Sequence, residues 1–399
     1  MIFRTLALLA MLFPALSHAT PAEDEKITRE YQAALLGKDP VRMIPGLLGP
    51  LRSRLALDAV ENILATGKKL DLATVIPAFA WPQLSPKEQA RWFRLGGIAN
   101  ENDLASQLAQ ASPDPGLLYE LLALRITTPA LRAQLARMEE AFPSKTRAFL
   151  ALKTFNPPSV SEMRSLFSDL PDIAHFEGGA WSGKPRLFLF CRHDRNYACL
   201  LAMKDKDDKP VRTAGGAIWT QPGLGLSGYG KPFNERLGNT PSGVHLVNGV
   251  MPTADQYEDF GKFRRMVLEF PPASTGEAEM KRLLPPATYS SVWWKEAAVA
   301  RDMGRSELRI HGTGALNNRP DILYYPFIAT IGCVAQRELK YGNTDYVDQR
   351  LLLDQLMKAQ GLNPQFASEP QIRALLYVVD IDDKKAPVTN ADLARFDIR

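Results

Sequence analysis

The chain has 399 residues and a formal net charge of +4 at neutral pH. This length exceeds what one hydrophobic core usually supports, so more than one domain is expected. Hydrophobic residues make up 45% and charged residues 23% of the chain, a balance that excludes an intrinsically disordered protein. The near-neutral charge gives no support to nucleic-acid binding. The three cysteines are too few for a disulfide-rich scaffold and lack the spacing of zinc ligands.

The N-terminus has the pattern of a secretory signal peptide. Arg4 precedes an apolar stretch at residues 6–16, and small residues at Ser17 and Ala19 fit a cleavage site after Ala19. The apolar stretch is shorter than the roughly 20 residues that span a bilayer, and we find no longer one elsewhere. We therefore expect residues 1–19 to be removed and the mature protein to be periplasmic and not membrane-spanning. A buried N-terminal helix or a retained anchor is the alternative.

Residues 20–172 are predicted to form an all-α domain. Ser85 with Glu88, and Ser159 with Glu162, have the spacing of capping boxes at helix N-termini. Residues 128–141 begin with Thr-Pro and then place apolar side chains at helical spacing. We see no catalytic motif here, so we expect the domain to serve as a scaffold or to bind a cell-wall or envelope protein.

Residues 173–399 are predicted to be mostly β, which makes the whole chain α+β. Short apolar runs at residues 187–192 and 197–203 flank turn-forming residues and predict a β-hairpin. Further elements follow at these positions: strands at 244–250, 263–270 and 307–310, a helix at 351–359 and a strand at 375–381. We expect the last helix and strand to be appended to the β domain.

One cysteine and one histidine have the sequence context of a catalytic pair. His311 ends a predicted strand and precedes Gly312, and Cys333 follows Gly332. A thiol nucleophile needs a nearby base, because the thiolate is the reactive form. The amides of Gly332 and Cys333 would stabilise an oxyanion. A buried structural thiol and a histidine satisfied within the core are the alternative interpretation.

Three short motifs in the order expected of one enzyme family strengthen the catalytic interpretation. Residues 240–243 read Thr-Pro-Ser-Gly, residues 311–313 read His-Gly-Thr, and residues 330–333 read Thr-Ile-Gly-Cys. Residues 185–338, which contain them, resemble the L,D-transpeptidase catalytic domain of the YkuD type. The resemblance implies a mostly β domain that acts on peptidoglycan stem peptides through an acyl-enzyme on Cys333, with His311 as the base. Gly312, Thr313 and Thr330 belong to its motifs and are expected to line the substrate cleft.

The sequence departs from the family pattern at two positions. Ile331 stands where the common motif has a second histidine, and Ala335 stands where it has an arginine. The changes resemble a divergent branch that includes hydrolases. Arg337 and Arg319 are then candidates to bind a substrate carboxylate, although a solvated surface position is the alternative for each. His245, just after the Thr-Pro-Ser-Gly turn, is a further candidate for the cleft or a strand-surface residue.

The other two cysteines lie symmetrically about Arg195 in the predicted hairpin. A turn at Arg195 places Cys191 opposite Cys199, which makes them a disulfide candidate in an oxidising compartment. Such a bond would leave Cys333 free, as a nucleophile must be.

These observations predict an exported cysteine acyltransferase that carries out L,D-transpeptidation of peptidoglycan stem peptides without a metal or organic cofactor. Two alternatives stay open. One is a peptidoglycan L,D-peptidase or amidase on the same fold, and the other is an inactive protein that binds the cell wall as a scaffold.

Overall fold

The computed structural model describes residues 20–36, 49–68, 70, 84–98 and 100–399, with the side chains of residues 49–53 left out. The predicted signal peptide at residues 1–19 lies outside this part. The chain is α+β, and its N-terminal region is helical. Over the described residues, the helices of that region are α1 (Pro21–Leu36), α2 (Gly49–Ala65), α3 (Pro86–Arg94), α4 (Glu101–Leu108), α5 (Pro115–Ala123), α6 (Pro129–Ala141), α7 (Pro143–Leu152) and α8 (Val160–Ser168).

An eight-stranded mixed sheet follows, in the order β3-β2-β1-β10-β4-β5-β6-β7. Its strands are β1 (Arg186–Arg192), β2 (Cys199–Lys204), β3 (Thr220–Gly223), β4 (Gly243–Val250), β5 (Met266–Glu269), β6 (Leu308–His311), β7 (Val334–Ala335) and β10 (Arg373–Asp382); β8 (Glu338–Tyr341) and β9 (Thr344–Val347) form a separate hairpin. The helices among them are α9 (Tyr257–Phe260), α10 (Glu277–Lys281), α11 (Lys295–Asp302), α12 (Asp348–Gln360) and α13 (Asn390–Ala394).

The two edges of the sheet nearly meet. Leu224, just after β3, exchanges two backbone hydrogen bonds with Ala335 in β7, at 2.8 and 3.1 Å. A bridge between Ser227 and Thr330 lies beside them. The sheet is therefore almost closed next to the residues that carry the Cys333 motif.

Helix starts in the N-terminal region follow the predicted chemistry. Ser85 and Ser159 each form a complete capping box, with Glu88 and Glu162 respectively. Thr128 accepts a hydrogen bond from the Leu131 amide at the start of α6. These side chains satisfy amides that the first turn of a helix leaves without a partner, so the capping predictions are confirmed.

Both faces of the sheet are buried. Within β1, Phe188 and Phe190 pack on one face, and Leu187 and Leu189 pack on the other. Helix α8 covers the first face and α12 the second. A continuous apolar run such as β1 fits this position, because a strand covered on both sides has no polar face.

The late helix and strand are not appended, and that expectation was wrong. Strand β10 lies in the middle of the sheet, parallel to β1 and antiparallel to β4. Helix α12 supplies the apolar side chains of one core layer. Among the residues described, no helix combines the length and the apolar character needed to cross a bilayer.

The predicted disulfide is present. Cys191 and Cys199 are bonded at a Cα–Cα distance of 4.3 Å, next in register to the paired residues Phe190 and Leu200. All three cysteines of the chain lie in the described part, and Cys333 is the free one.

Removing this bond should lower stability without touching the site. Because the bond closes a short loop, with a sequence separation of 8, we expect the Cys191→Ala/Cys199→Ala variant to lose about 2–3 kcal/mol of unfolding free energy. Urea unfolding measures this loss. Dithiothreitol should destabilise the wild type and leave the double variant unchanged; equal unfolding of the wild type with and without reductant would contradict the prediction.

Candidate functional site

A cavity of about 370 Å³ lies where β6 and β7 meet the N-terminal helices. It contains both His311 and Cys333. Helices α1 and α2 contribute one wall through Glu25, Thr28, Arg29, Gln32 and Asn62. The remaining walls come from two segments near the β6–β7 edge, residues 256–260 and residues 307–335.

Strand register places His311 and Cys333 on one face. Strands β6 and β7 are parallel, with Ile310 opposite Val334 and His311 opposite Ala335. Because side chains alternate between faces, Cys333, just before β7, points to the same face as His311. Both side chains are buried, His311 with 3% and Cys333 with 4% of its surface exposed.

Gly332 is required by the backbone that precedes the thiol. Its φ of +115° lies in a region that other residues rarely adopt. A Cβ there would lie 2.5 Å from the carbonyl oxygen of Gly238 and 2.6 Å from Nη2 of Arg305. The glycine that precedes Cys333 in the motif is thus required both by its conformation and by the space around it.

Two threonine hydroxyls hold the turn around Cys333. Thr330 Oγ1 donates to the Cys333 carbonyl at 2.7 Å and accepts from the Gly332 amide at 3.2 Å. Thr240, from the Thr-Pro-Ser-Gly segment, donates to the Gly332 carbonyl at 2.9 Å. The first and third motifs therefore meet in space, and the two threonine hydroxyls hold the backbone turn that carries the thiol.

We predict that Gly332→Ala destabilises the protein by about 2–4 kcal/mol, because it adds both backbone strain and a steric clash. Gly342→Ala is the matched control: Gly342 also has a positive φ of +59°, but open space surrounds it. The control should lose only about 1 kcal/mol. Urea unfolding compares the two, and equal losses would contradict the steric argument.

The imidazole of His311 has one nitrogen occupied. Nδ1 lies 2.5 Å from the Gly312 carbonyl oxygen, so it donates the hydrogen bond and leaves the lone pair on Nε2. The ring of Phe260 packs edge-on at 4.8 Å. Burial, with smaller contributions from the nearby Arg265 and Arg309 guanidinium groups, lowers the pKa of His311 to about 4. The imidazole is therefore neutral at physiological pH, as a general base must be.

The Cys333 thiol is protonated in the resting site. Burial raises the pKa of Cys333 to about 11. Its Sγ donates to the Glu307 carbonyl oxygen at 3.8 Å, and over the described residues no hydrogen bond joins Sγ to His311. Thiol and imidazole are thus a neutral pair with no activating contact between them.

The raised pKa predicts a specific pH profile. Thiolate forms only as the pH rises through the pKa, so alkylation of Cys333 by iodoacetamide should keep accelerating from pH 7.5 to 10. An ordinary cysteine, with a pKa of about 8.5, levels off within this range. Mass spectrometry of labelled protein gives the rates, with Cys333→Ser as the unlabelled control. A plateau below pH 9 would show instead that the thiolate is already stabilised.

The structure brings three other predicted residues to the cavity. Gly312, Thr313 and Thr330 all line it. The Thr313 hydroxyl donates to the Glu258 carbonyl at 3.1 Å, and the Gly312 carbonyl holds His311. These contacts orient the cavity wall at Glu258 and the imidazole of His311.

Three predicted substrate-binding residues are not at the cavity. Arg337 donates to Asp348 at 2.6 Å and lies against the Tyr346 ring. The Arg319 side chain is 67% exposed and forms an ion pair with Asp321. His245 is fully buried in β4, and Nε2 lies 2.9 Å from the Pro241 carbonyl. These placements correct the expectation that any of the three binds substrate in this cavity.

Sequence reasoning missed the charged groups that surround the pair. Arg309 lies two residues before His311 on β6, and the period of a strand places both side chains on one face. That spacing was readable in the sequence. Glu25, which approaches Arg309 from α1, gave no such signal, because its contact depends on how the helical region packs.

Within the described residues, no group of three or more His, Cys, Asp or Glu side chains could hold a metal ion. Comparison of the chain with protein-family models, with curated proteins and with solved structures gives no match.

Proposed function

We propose that the protein is an exported cysteine acyltransferase that acts on peptidoglycan stem peptides, as the resemblance to L,D-transpeptidases implies. The observation that carries the proposal is the placement of His311 and Cys333 on one face of two paired strands, at a shared cavity. Its second support is the contact of Thr240 with Gly332, because it joins two motifs that are far apart in the sequence.

The chemistry begins with a proton transfer. The Cys333 thiol leaves the Glu307 carbonyl and gives its proton to Nε2 of His311, while Sγ forms a bond to the substrate carbonyl carbon. The tetrahedral intermediate then breaks the C–N bond, and the imidazolium returns the proton to the departing amine. The product is a thioester on Cys333.

A second nucleophile completes the cycle. An acceptor amine gives a proton to His311 and attacks the carbonyl carbon of the thioester. The C–S bond then breaks, the imidazolium returns the proton to Sγ of Cys333, and the new amide bond cross-links two stems. Water in the same role gives hydrolysis. In both cases, the oxyanion needs donors near Cys333. The Gly332 amide already donates to Thr330 in the resting site, so the substrate oxygen must take over that donor or share it.

We expect Cys333→Ser and His311→Ala each to lower turnover of a stem tetrapeptide by at least about 10²-fold, since each removes one member of a nucleophile–base pair. The double variant should be little worse than either single variant, because the two groups act as a unit. Mass spectrometry of digested peptidoglycan measures turnover and separates cross-linked dimers from shortened peptides.

The matched control is His175→Ala, since that imidazole is 71% exposed and pairs with Asp172 on the surface. Its activity should equal that of the wild type. Shortened peptides without cross-linked dimers would favour the L,D-peptidase or amidase over the transpeptidase. No turnover in the wild type would favour the cell-wall scaffold, and a large loss of melting temperature in Cys333→Ser would indicate a structural thiol.

A further inference from the structure

A carboxylate from the helical region sits beside the catalytic pair. Glu25 of α1 lies 2.9 Å from Nη1 of Arg265, 3.2 Å from Nη1 of Arg29 and 3.8 Å from Nη2 of Arg309. The side-chain amide of Gln256 also donates to it, at 3.3 Å. Its carboxylate therefore lies within a group of cations at the wall of the cavity.

Arg309 is a buried cation whose donors are only partly used. It is 3% exposed and lines the cavity, and Nη1 donates to the Leu308 carbonyl at 2.8 Å. Its Nε and Nη2 have no hydrogen-bond partner among the described residues. A buried guanidinium with unsatisfied donors is destabilising unless an anion completes its contacts. Glu25, at 3.8 Å, supplies charge without supplying a hydrogen bond.

Arg265 is a second buried arginine in contact with Glu25. It is 1% exposed, lies over the Phe260 ring at 4.0 Å and pairs with Asp255 at 2.6 Å through Nη2. Its Nη1 remains directed to Glu25, and its Nε has no partner among the described residues. The two arginines therefore present donors to the same carboxylate.

These charges act on the catalytic pair. Beyond the main effect of burial, Arg309 lowers the pKa of Cys333 and Glu25 raises it. Arg309 also lies on the same face as His311 and Cys333, because residue 309 precedes residue 311 by two on β6. Any anion bound by Arg309 is thus held close to the reacting thiol.

We propose that Arg309 and Arg265 form a carboxylate-binding subsite beside Cys333, that Glu25 fills this subsite in the resting protein, and that a substrate carboxylate displaces Glu25. The identity of that substrate rests on the proposed function: a stem peptide carries free carboxylates on its diaminopimelyl side chain and at its terminus. Arginine suits this role because its planar donors match a carboxylate in two-point contact. The subsite also replaces Arg337, which is engaged by Asp348.

Alkylation of Cys333 tests the subsite without turnover. Iodoacetate and iodoacetamide both transfer a two-carbon unit to the thiol with loss of iodide, but only iodoacetate carries a carboxylate. We expect Glu25→Gln to raise the iodoacetate-to-iodoacetamide rate ratio by about tenfold, the size of one charge-assisted hydrogen bond. Adding Arg309→Gln to Glu25→Gln should return the ratio to near the wild-type value.

The matched control is Asp259→Asn, which removes a carboxylate of the same cavity that forms no ion pair among the described residues. Its ratio should change less than about twofold, as expected for a screened charge near the surface. An unchanged ratio in Glu25→Gln would overturn the proposal, and so would an equal rise in Asp259→Asn.

A second measurement, hydrogen exchange of the α1 amides, leaves Glu25 unsubstituted. It therefore does not depend on whether Glu25 variants fold. Hydrogen exchange of Cys333→Ser, with and without a stem tetrapeptide, reports on the amides of α1 (Pro21–Leu36). Displacement of Glu25 should make these amides exchange faster. Slower or unchanged exchange with the peptide bound would show that the peptide does not displace Glu25 and α1, and this result would overturn the proposal.

The two proposals can fail separately. The alkylation ratio needs only the thiol and the reagents, so it supports the subsite even where no peptidoglycan fragment is converted. If the protein converts stem peptides but Glu25→Gln leaves the iodoacetate-to-iodoacetamide rate ratio unchanged, the acyltransferase proposal is supported and the subsite proposal is rejected.

Discussion

The geometry of the site depends on one buried guanidinium. Arg305 follows α11, and it donates at 2.5–2.9 Å to three backbone carbonyls, those of Phe233, Gly238 and Asn239. Burial lowers the pKa of Arg305 to about 9, which still leaves it charged at neutral pH. The carbonyls compensate for the lost hydration, and they fix the segment that ends at Thr240. Because Gly332 packs against both Gly238 and Arg305, the thiol is positioned by the same contact.

A second arginine connects the helical region to this arrangement. Arg236 lies 3.3 Å from Asp58 and 2.9 Å from Asn62, both on α2, and 2.9 Å from Glu307. Burial alone would raise the pKa of Asp58, but Arg236 and Arg91 lower it overall. Removing one partner of such a buried group is strongly destabilising. The carbonyl of Glu307 accepts the hydrogen bond of the Cys333 thiol, so α2 is linked to the site through Arg236 and Glu307.

Local chemistry decided which features the sequence could predict. The capping boxes at Ser85 and Ser159 depend on residues three positions apart, and the hairpin with its disulfide depends on residues on either side of one turn. Both features could therefore be predicted from the sequence. The central position of β10 could not, because its parallel pairing with β1 joins segments from opposite ends of the β region. The motifs singled out His311 and Cys333 as candidates, whereas their neutral protonation states follow from burial that only the packed structure reveals.

The choice of the arginine that could bind a carboxylate shows the same limit of prediction from the sequence. Distance along the chain from Cys333 favoured Arg337, but Asp348 engages that side chain. The alternation of side chains along β6 favours Arg309, and the three-dimensional structure adds Glu25, the carboxylate that pairs with it.

The proximity of Glu25 affects both the thiol and the arginines. Its negative charge disfavours the thiolate, and yet its removal would take the ion-pair partner from the buried Arg309, whereas Arg265 would keep Asp255. In the proposed subsite, a neutral ligand cannot replace the charge of Glu25, whereas a ligand carboxylate can, and the proposed substrate would then bring its own carbonyl toward the thiol. The proposed subsite therefore couples opening of the site to recognition of a carboxylate, because the charge with which Glu25 pairs to the arginines also determines which ligands can take its place.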